Sequence, residues 1–216
     1  NEIAASLPGG PHEVVAADLM QPGAPEDVVA RAGRIDLLVA NAGRPGGWAL
    51  DDTSAEDVAA AVRVNYESPI QMAKAVIPGM KRQGSGQIVL ISSMAGKFAL
   101  PESTMYSSTK AGLRAFGWAL RPELARDNIT VSVVAPGVIG EVGMFAKRGS
   151  KAPPLVGATS PQRYTKTLLA GIEKGKGEIA IASPQMRLLA QLSVFMPGVF
   201  ARAFRRMPPQ RKPPTE

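Results

Sequence analysis

Tyr106 stands four residues before Lys110 in the stretch MYSSTKAGLRAF, Met105 to Phe116. On a helix that spacing puts both side chains on one face, so a phenol hydroxyl and an ammonium can share a site. A free tyrosine has a pKa of about 10, and a nearby cation favours the phenolate. A tyrosine tuned in that way can trade a proton with an alcohol or a carbonyl near neutral pH. The pair alone is equally compatible with the polar edge of a solvated helix, so its surroundings decide. Ser92 and Ser93 close the apolar run GQIVLISS, Asn41-Ala42-Gly43 closes IDLLVANAG, and Pro136-Gly137 closes NITVSVVAPG. Taken singly, each is an ordinary turn or cap. If the three runs are parallel strands of one sheet, their ends share the carboxyl edge at which such sheets bind ligands. Gly137 there permits close backbone approach. Asn65 lies inside a helical stretch, where asparagine is a mediocre former and asks for another reason.

Those side chains need elements to hold them, and the apolar pattern supplies them. Glu13–Asp18, Ile35–Gly43, Gly86–Ser93, Asn128–Gly137 and Gly177–Ser183 are short runs rich in valine, isoleucine and leucine. Their lack of polar alternation suits parallel strands buried on both faces. Helical stretches separate them: Ala24–Ala32, Ser54–Met80 with Ser54 as N-cap, Thr104–Arg126, and Ser160–Glu173. Strand alternating with helix predicts an α/β fold, a parallel sheet with helices on both faces. Gly140–Thr159 has no clear period and is expected to be a long loop, of the kind often used as a lid. The terminal PPQRKPPTE is expected to be a disordered tail.

Composition narrows the function classes. The 216 residues are 45% hydrophobic and 20% charged, enough for one substantial core. There is no cysteine, which excludes disulfides, zinc-thiolate sites and thiol nucleophiles and fits a cytoplasmic protein. No apolar run reaches the roughly 18 residues of a spanning helix. Much of the net charge of +7 comes from Arg187, Arg202, Arg205, Arg206, Arg211 and Lys212. The basic balance therefore describes the C-terminal segment. It brings no zinc-finger spacing or aromatic RNA-binding signature, so no nucleic-acid partner is expected. His12, the one histidine, follows Pro11 in an expected surface turn.

Five motifs now stand in order: NAG at 41–43, VNYESP around Asn65, IVLISSMAG, YSSTK and APGVI. In that order and spacing they resemble the short-chain dehydrogenases/reductases, over about Val14 to Ser183. The resemblance implies a Rossmann-like doubly wound sheet and hydride transfer between NAD or NADP and an alcohol or ketone. By the same resemblance Tyr106 would be the general acid/base, and Lys110 would lower its pKa and hold the nicotinamide ribose. Ser93 would bind the substrate oxygen, in preference to Ser92, and Asn65 would anchor a water in a proton relay. Asp18 would contact the adenine, Leu19 would bind the cofactor beside it in the chain, Asn41, Ala42 and Gly43 would line the cofactor cleft, and Pro136, Gly137 and Ile139 would run beside the nicotinamide. Relatives commonly form homo-oligomers through the helices expected around 54–80 and 104–126. The chemistry is self-consistent: the cofactor carries the hydride, and tyrosine, lysine and serine supply the proton and the oxyanion contact without a metal.

The family's glycine-rich turn is absent from the sequence, since Gly9-Gly10 precedes an expected strand instead of following one. The chain thus reads as a fragment lacking a strand–helix–strand unit of roughly 35 to 45 residues, and as a weak cofactor binder without it. Glu141, where the family often has threonine, would repel a pyrophosphate if it pointed inward. Residues 1–183 are expected to form the catalytic domain, and 184–216 a basic amphipathic segment with the tail. In that segment Leu188, Leu192, Phe195 and Val199 recur at helical spacing, with a break expected at Pro197-Gly198. Such a segment can cover the cleft, meet a subunit neighbour, or make a peripheral contact with anionic membrane through 184–207. Met144, Phe145, Leu155 and Val156 suggest an apolar substrate of steroid, retinoid or fatty-acyl type. Lys147, Arg148, Lys151 and Arg163 leave room for ketoacyl-thioester reduction. A non-catalytic nucleotide-binding or scaffold protein on the same fold is the alternative from another class, against which the intact Asn65, Ser93, Tyr106 and Lys110 argue.

Overall fold

Four of the five apolar runs become strands, each a little shorter than its run. The computed structural model describes residues 2–46, 49–98, 103–143 and 157–205. Leu37–Ala40 (β1), Gly86–Ile91 (β2), Ile129–Pro136 (β3) and Glu178–Ile181 (β4) form one parallel sheet in the order β1-β2-β3-β4. Ile91 is level with Val134 and Pro136 with Ile181, so the strand ends share one edge. The helices are Glu2–Ser6 (α1), Ala24–Ala32 (α2), Ala55–Val62 (α3), Ser68–Gln83 (α4), Thr104–Leu124 (α5), Pro161–Glu173 (α6), Pro184–Phe195 (α7) and Pro197–Phe204 (α8).

The alternation of a strand explains why the last four residues of β2, Ile88–Ile91, are all apolar. Ile88 and Leu90 face a cluster built from Ala73, Val76 and Met80 of α4 and Leu113, Leu120 and Leu124 of α5. Val89 and Ile91 point the other way, into a cluster with Val134, Ile172 of α6, and Ile179 and Ile181 of β4. With helices on both faces, none of these four positions is left to water.

Local chemistry sets the helix ends. The Ser54, Ser160 and Ser183 hydroxyls accept from the backbone N–H groups of Asp57, Arg163 and Met186, capping α3, α6 and α7. Gly84 ends α4 in the left-handed region at φ 71°, a position few other residues take without strain.

Two expectations change. Glu13–Asp18 is not a strand: Val14 is exposed, and the segment joins no ladder. A strand exists through its partner's hydrogen bonds, and among the described residues nothing pairs with the outer edge of β1, where Leu37 and Val39 also lie exposed. The single helix expected over Ser54–Met80 contains a five-residue π turn, Arg63–Glu67, between α3 and α4. The break expected at Pro197-Gly198 is present: one helix ends before Met196 and the next starts at Pro197. His12 is exposed, its Nε2 lying 3.2 Å from the Pro8 carbonyl oxygen. The lid residues Met144, Phe145, Lys147, Arg148, Lys151, Leu155 and Val156, and the tail, lie outside the described residues.

Candidate active site

The strand end after β2 and the second turn of α5 are fastened to each other twice. Lys110 Nζ donates to the carbonyl oxygen of Ile91 at 2.7 Å, and the Ser92 hydroxyl donates back to the carbonyl oxygen of Lys110 at 2.7 Å. Gly96 makes the approach possible, because a Cβ there would sit 2.7 Å from the Lys110 carbonyl carbon. Lys110 is only 3% exposed. Burial pulls its pKa down from the ordinary 10.5 to about 8, since a low-dielectric setting disfavours the ammonium. Its Nζ lies 5.9 Å from the centroid of the Tyr106 ring, within the range of cation–π attraction. Tyr106 itself is half-buried. The helical spacing thus brings the two side chains together.

The two serines part company. Ser92 is buried and uses its hydroxyl proton on Lys110. Ser93 is half-buried and accepts at Oγ from the backbone N–H of Ala95 at 3.1 Å, capping the short turn Met94–Gly96. An oxygen that accepts from the backbone keeps its own proton to donate.

Asn65 is fully buried in the π turn. Its Oδ1 accepts from the backbone N–H of Arg44 at 2.7 Å, and its Nδ2 donates to the Arg44 carbonyl oxygen at 3.1 Å. It therefore holds the chain one residue beyond Asn41-Ala42-Gly43. Asn41 and Ala42 are exposed and Gly43 is half-buried. Gly46 then brings this segment onto α5, where a Cβ would lie 2.8 Å from that of Tyr106.

On the other side of Ser93, Pro136 ends β3, and Gly137 donates its N–H to the Ile181 carbonyl oxygen at 2.8 Å. A Cβ on Gly137 would meet Ala182 and Met186 at 3.0 Å. Ile139 makes an isolated parallel bridge with Thr159, and Glu141 is exposed. Asp18 is exposed and forms a local turn, accepting from the Met20 backbone N–H and the Gln21 side chain. Those two bonds hold its carboxyl below the usual range. The Leu19 carbonyl oxygen accepts from Ser68 of α4 at 3.1 Å.

One cluster escaped the sequence reading. The Glu178 carboxylate on β4 pairs with Lys97 and accepts from Arg114 Nε at 2.8 Å and Trp118 Nε1 at 3.0 Å. Burial pushes the Glu178 pKa up, but the bonds and charges of its partners outweigh that and leave it lowered. Lys97 ends the turn that Ser93 caps, and Arg114 lies one helical turn beyond Lys110, so the cluster braces both. Arg114 at four residues past Lys110 was the available signal; its partner on β4 was invisible without the fold.

As a donor set, Lys110, Ser93 and Tyr106 suit the nicotinamide–ribose end of a dinucleotide, with Gly137 at the neighbouring strand end. The described residues hold no glycine-rich strand-to-helix turn for its diphosphate.

The family model for short chain dehydrogenases matches residues 2–153. Dehydrogenase/reductase SDR family member 7B of Bos taurus is 32% identical over 199 residues, covering 87% of this chain and 61% of the relative. Ketoacyl reductase HetN of a Nostoc strain is 30% identical over 156 residues, covering 72% of this chain and 53% of the relative. The chain thus spans between half and two thirds of these curated relatives. Among solved structures, a short chain dehydrogenase from Burkholderia cenocepacia in complex with NADP aligns at TM-score 0.74 and 26% identity, covering 88% of this chain and 79% of that one. A short-chain dehydrogenase from Streptomyces avermitilis aligns at TM-score 0.76 and 22% identity, covering 95% of this chain and 84% of that one.

Proposed function

The chain belongs to the short chain dehydrogenase family, and we propose from this that it is an NAD(P)-dependent oxidoreductase interconverting an alcohol and a ketone. The observation that supports it most is the buried Lys110 ammonium held beneath the Tyr106 ring at the carboxyl edge of the sheet. A bound NAD or NADP would supply the hydride chemistry. Tyr106 gives its phenol proton to the substrate oxygen in reduction and takes it back in oxidation. The Lys110 cation stabilises the phenolate left behind and presents Nζ donors to a ribose. Ser93 donates to the same substrate oxygen. Asn65 anchors a water of the proton relay from the π turn, while its side chain is engaged with the Arg44 backbone. Asp18, Leu19, Asn41, Ala42, Gly43, Pro136, Gly137 and Ile139 line the cofactor path, and residues 1–183 form the catalytic domain. The active form is a homo-oligomer.

The substrate is an apolar alcohol or ketone. Ketoacyl-thioester reduction is the second reading, favoured by the Nostoc relative and by exposed Arg163 at the start of α6. Turnover of a panel holding steroids, retinoids and ketoacyl thioesters separates the two.

Tyr106→Phe tests the central role. It removes the transferable proton and keeps the ring, so turnover should fall by about 10²–10⁴-fold while nicotinamide binding changes little. Unchanged turnover would refute the assignment.

A further inference from the structure

The C-terminal helix α7 is apolar on two sides, and among the described residues only one of them is packed. Met186 and Ala190 are buried against Met94 and Ala135. On the opposite side Leu188 is 56% exposed, Leu192 40% and Phe195 83%, and the exposed apolar surface continues through Val194, Met196 and Val199 into α8. A helix apolar all round ordinarily has all its sides covered, and a contiguous exposed apolar patch marks an interaction surface.

Charge identifies the occupant. Arg187 and Arg202 are exposed on the same two helices and Arg205 directly after them, and the sequence from Pro184 to Thr215 contains no aspartate or glutamate. A second copy meeting this face about a two-fold axis would bring arginine toward arginine with no carboxylate in the patch to pair them. An anionic lipid surface takes every arginine in its headgroup layer and the leucines and phenylalanine just beneath. We infer that α7 and α8 form a peripheral docking surface for anionic membrane, with Phe195 and Met196 at the joint between the helices entering deepest.

The inner side of α7 touches the candidate site. Met186 packs at Gly137, and Met94 in the same cluster follows Ser93 directly. Docking through the outer side would set the carboxyl edge of the sheet beside the lipid, where apolar alcohols and ketones concentrate. That last step rests on the proposed oxidoreductase reading; the docking itself does not.

Flotation of the full-length protein with phosphatidylcholine vesicles, with and without phosphatidylglycerol, tests the surface directly. The wild type should float with the anionic vesicles, less so at high salt and least with phosphatidylcholine alone. Leu188→Gln/Leu192→Gln/Phe195→Ser should lower partitioning at least about tenfold, given the apolar area removed. Arg187→Gln/Arg202→Gln/Arg205→Gln, which leaves the packed side of α7 untouched, should remove the preference for anionic lipid. Equal flotation of wild type and both variants overturns the proposal. So does a wild type that ignores vesicles but forms a dimer, seen by light scattering, that the apolar variant dissociates. Because vesicle binding is read without turnover, loss of activity in Tyr106→Phe leaves this result unaffected.

Discussion

Lys110 carries its charge in a place charges avoid, and that has a measurable pH signature. Its folded pKa is about 8, against 10.5 ordinarily. Between those values the unfolded chain holds a proton that the folded chain has released, so stability rises with pH through that window. Relative to Lys110→Met, the wild type should gain up to about 1.4 kcal/mol per pH unit there, read from urea melts at a series of pH values. A constant difference across the window would mean Lys110 is not buried as described. The neighbouring serines should separate in a different way. Ser92→Ala removes the bond to the Lys110 carbonyl oxygen and should cost about 1 kcal/mol of stability. Ser93→Ala removes the cap on the Met94–Gly96 turn, at about 0.5–1 kcal/mol, and should lower kcat by about 10²-fold, the usual weight of one oxyanion donor. If both variants lose the same amount of stability and the same amount of activity, the division of labour between them is wrong.

At the scale of elements, the π turn and the close-packed glycines do the positioning. Asn65→Leu would strip both polar groups from the Arg44 backbone inside the fold, and it should cost about 2–3 kcal/mol with a matching drop in Tm. Gly96→Ala should push the Ser93 turn away from Lys110 and lower both Tm and kcat, because the obstructing atoms are backbone. A Gly96→Ala enzyme with full activity would show that the turn adjusts freely. Which elements exist was readable from the chain: the Ser54 cap, the helix Ala24–Ala32 and four strands all stand where their patterns put them. The π turn was not readable, because one extra residue in a helical turn leaves little mark on apolar periodicity. Glu13–Asp18 misled for a different reason. Its Val14 and Val15 have strand chemistry, yet pairing is decided by what lies alongside, and a residue run carries no record of its neighbour.

Across the whole molecule, Glu178 fastens the outermost strand to the helix layer through Lys97, Arg114 and Trp118. Glu178→Ala should cost about 1–3 kcal/mol, since it leaves two cations short of their partner, and should speed amide exchange in β4 ahead of β2. Uniform exchange across the sheet would argue against a local clasp. The lowered pKa of Glu178 places the clasp's contribution above the ordinary carboxylate pKa of 4.5, to be lost as pH falls through its folded value. Such long-range partners are what a sequence hides best, as they are the ones that only the completed sheet brings together. The sheet's own connections have a further result. The crossovers from β1 to β2 and from β2 to β3 carry α4 and α5 on one face, and the crossover from β3 to β4 carries α6 on the other. Steps in one direction over opposite faces have opposite hands, so one crossover runs against the strong preference for the right-handed form. At the carboxyl edge the chain leaving β2 therefore turns one way and the chain leaving β3 turns the other. Adjacent strands whose exits diverge leave a crevice between them, the switch-point geometry used by ligand sites in open sheets, and here it opens with Ser93 on one side and Gly137 on the other.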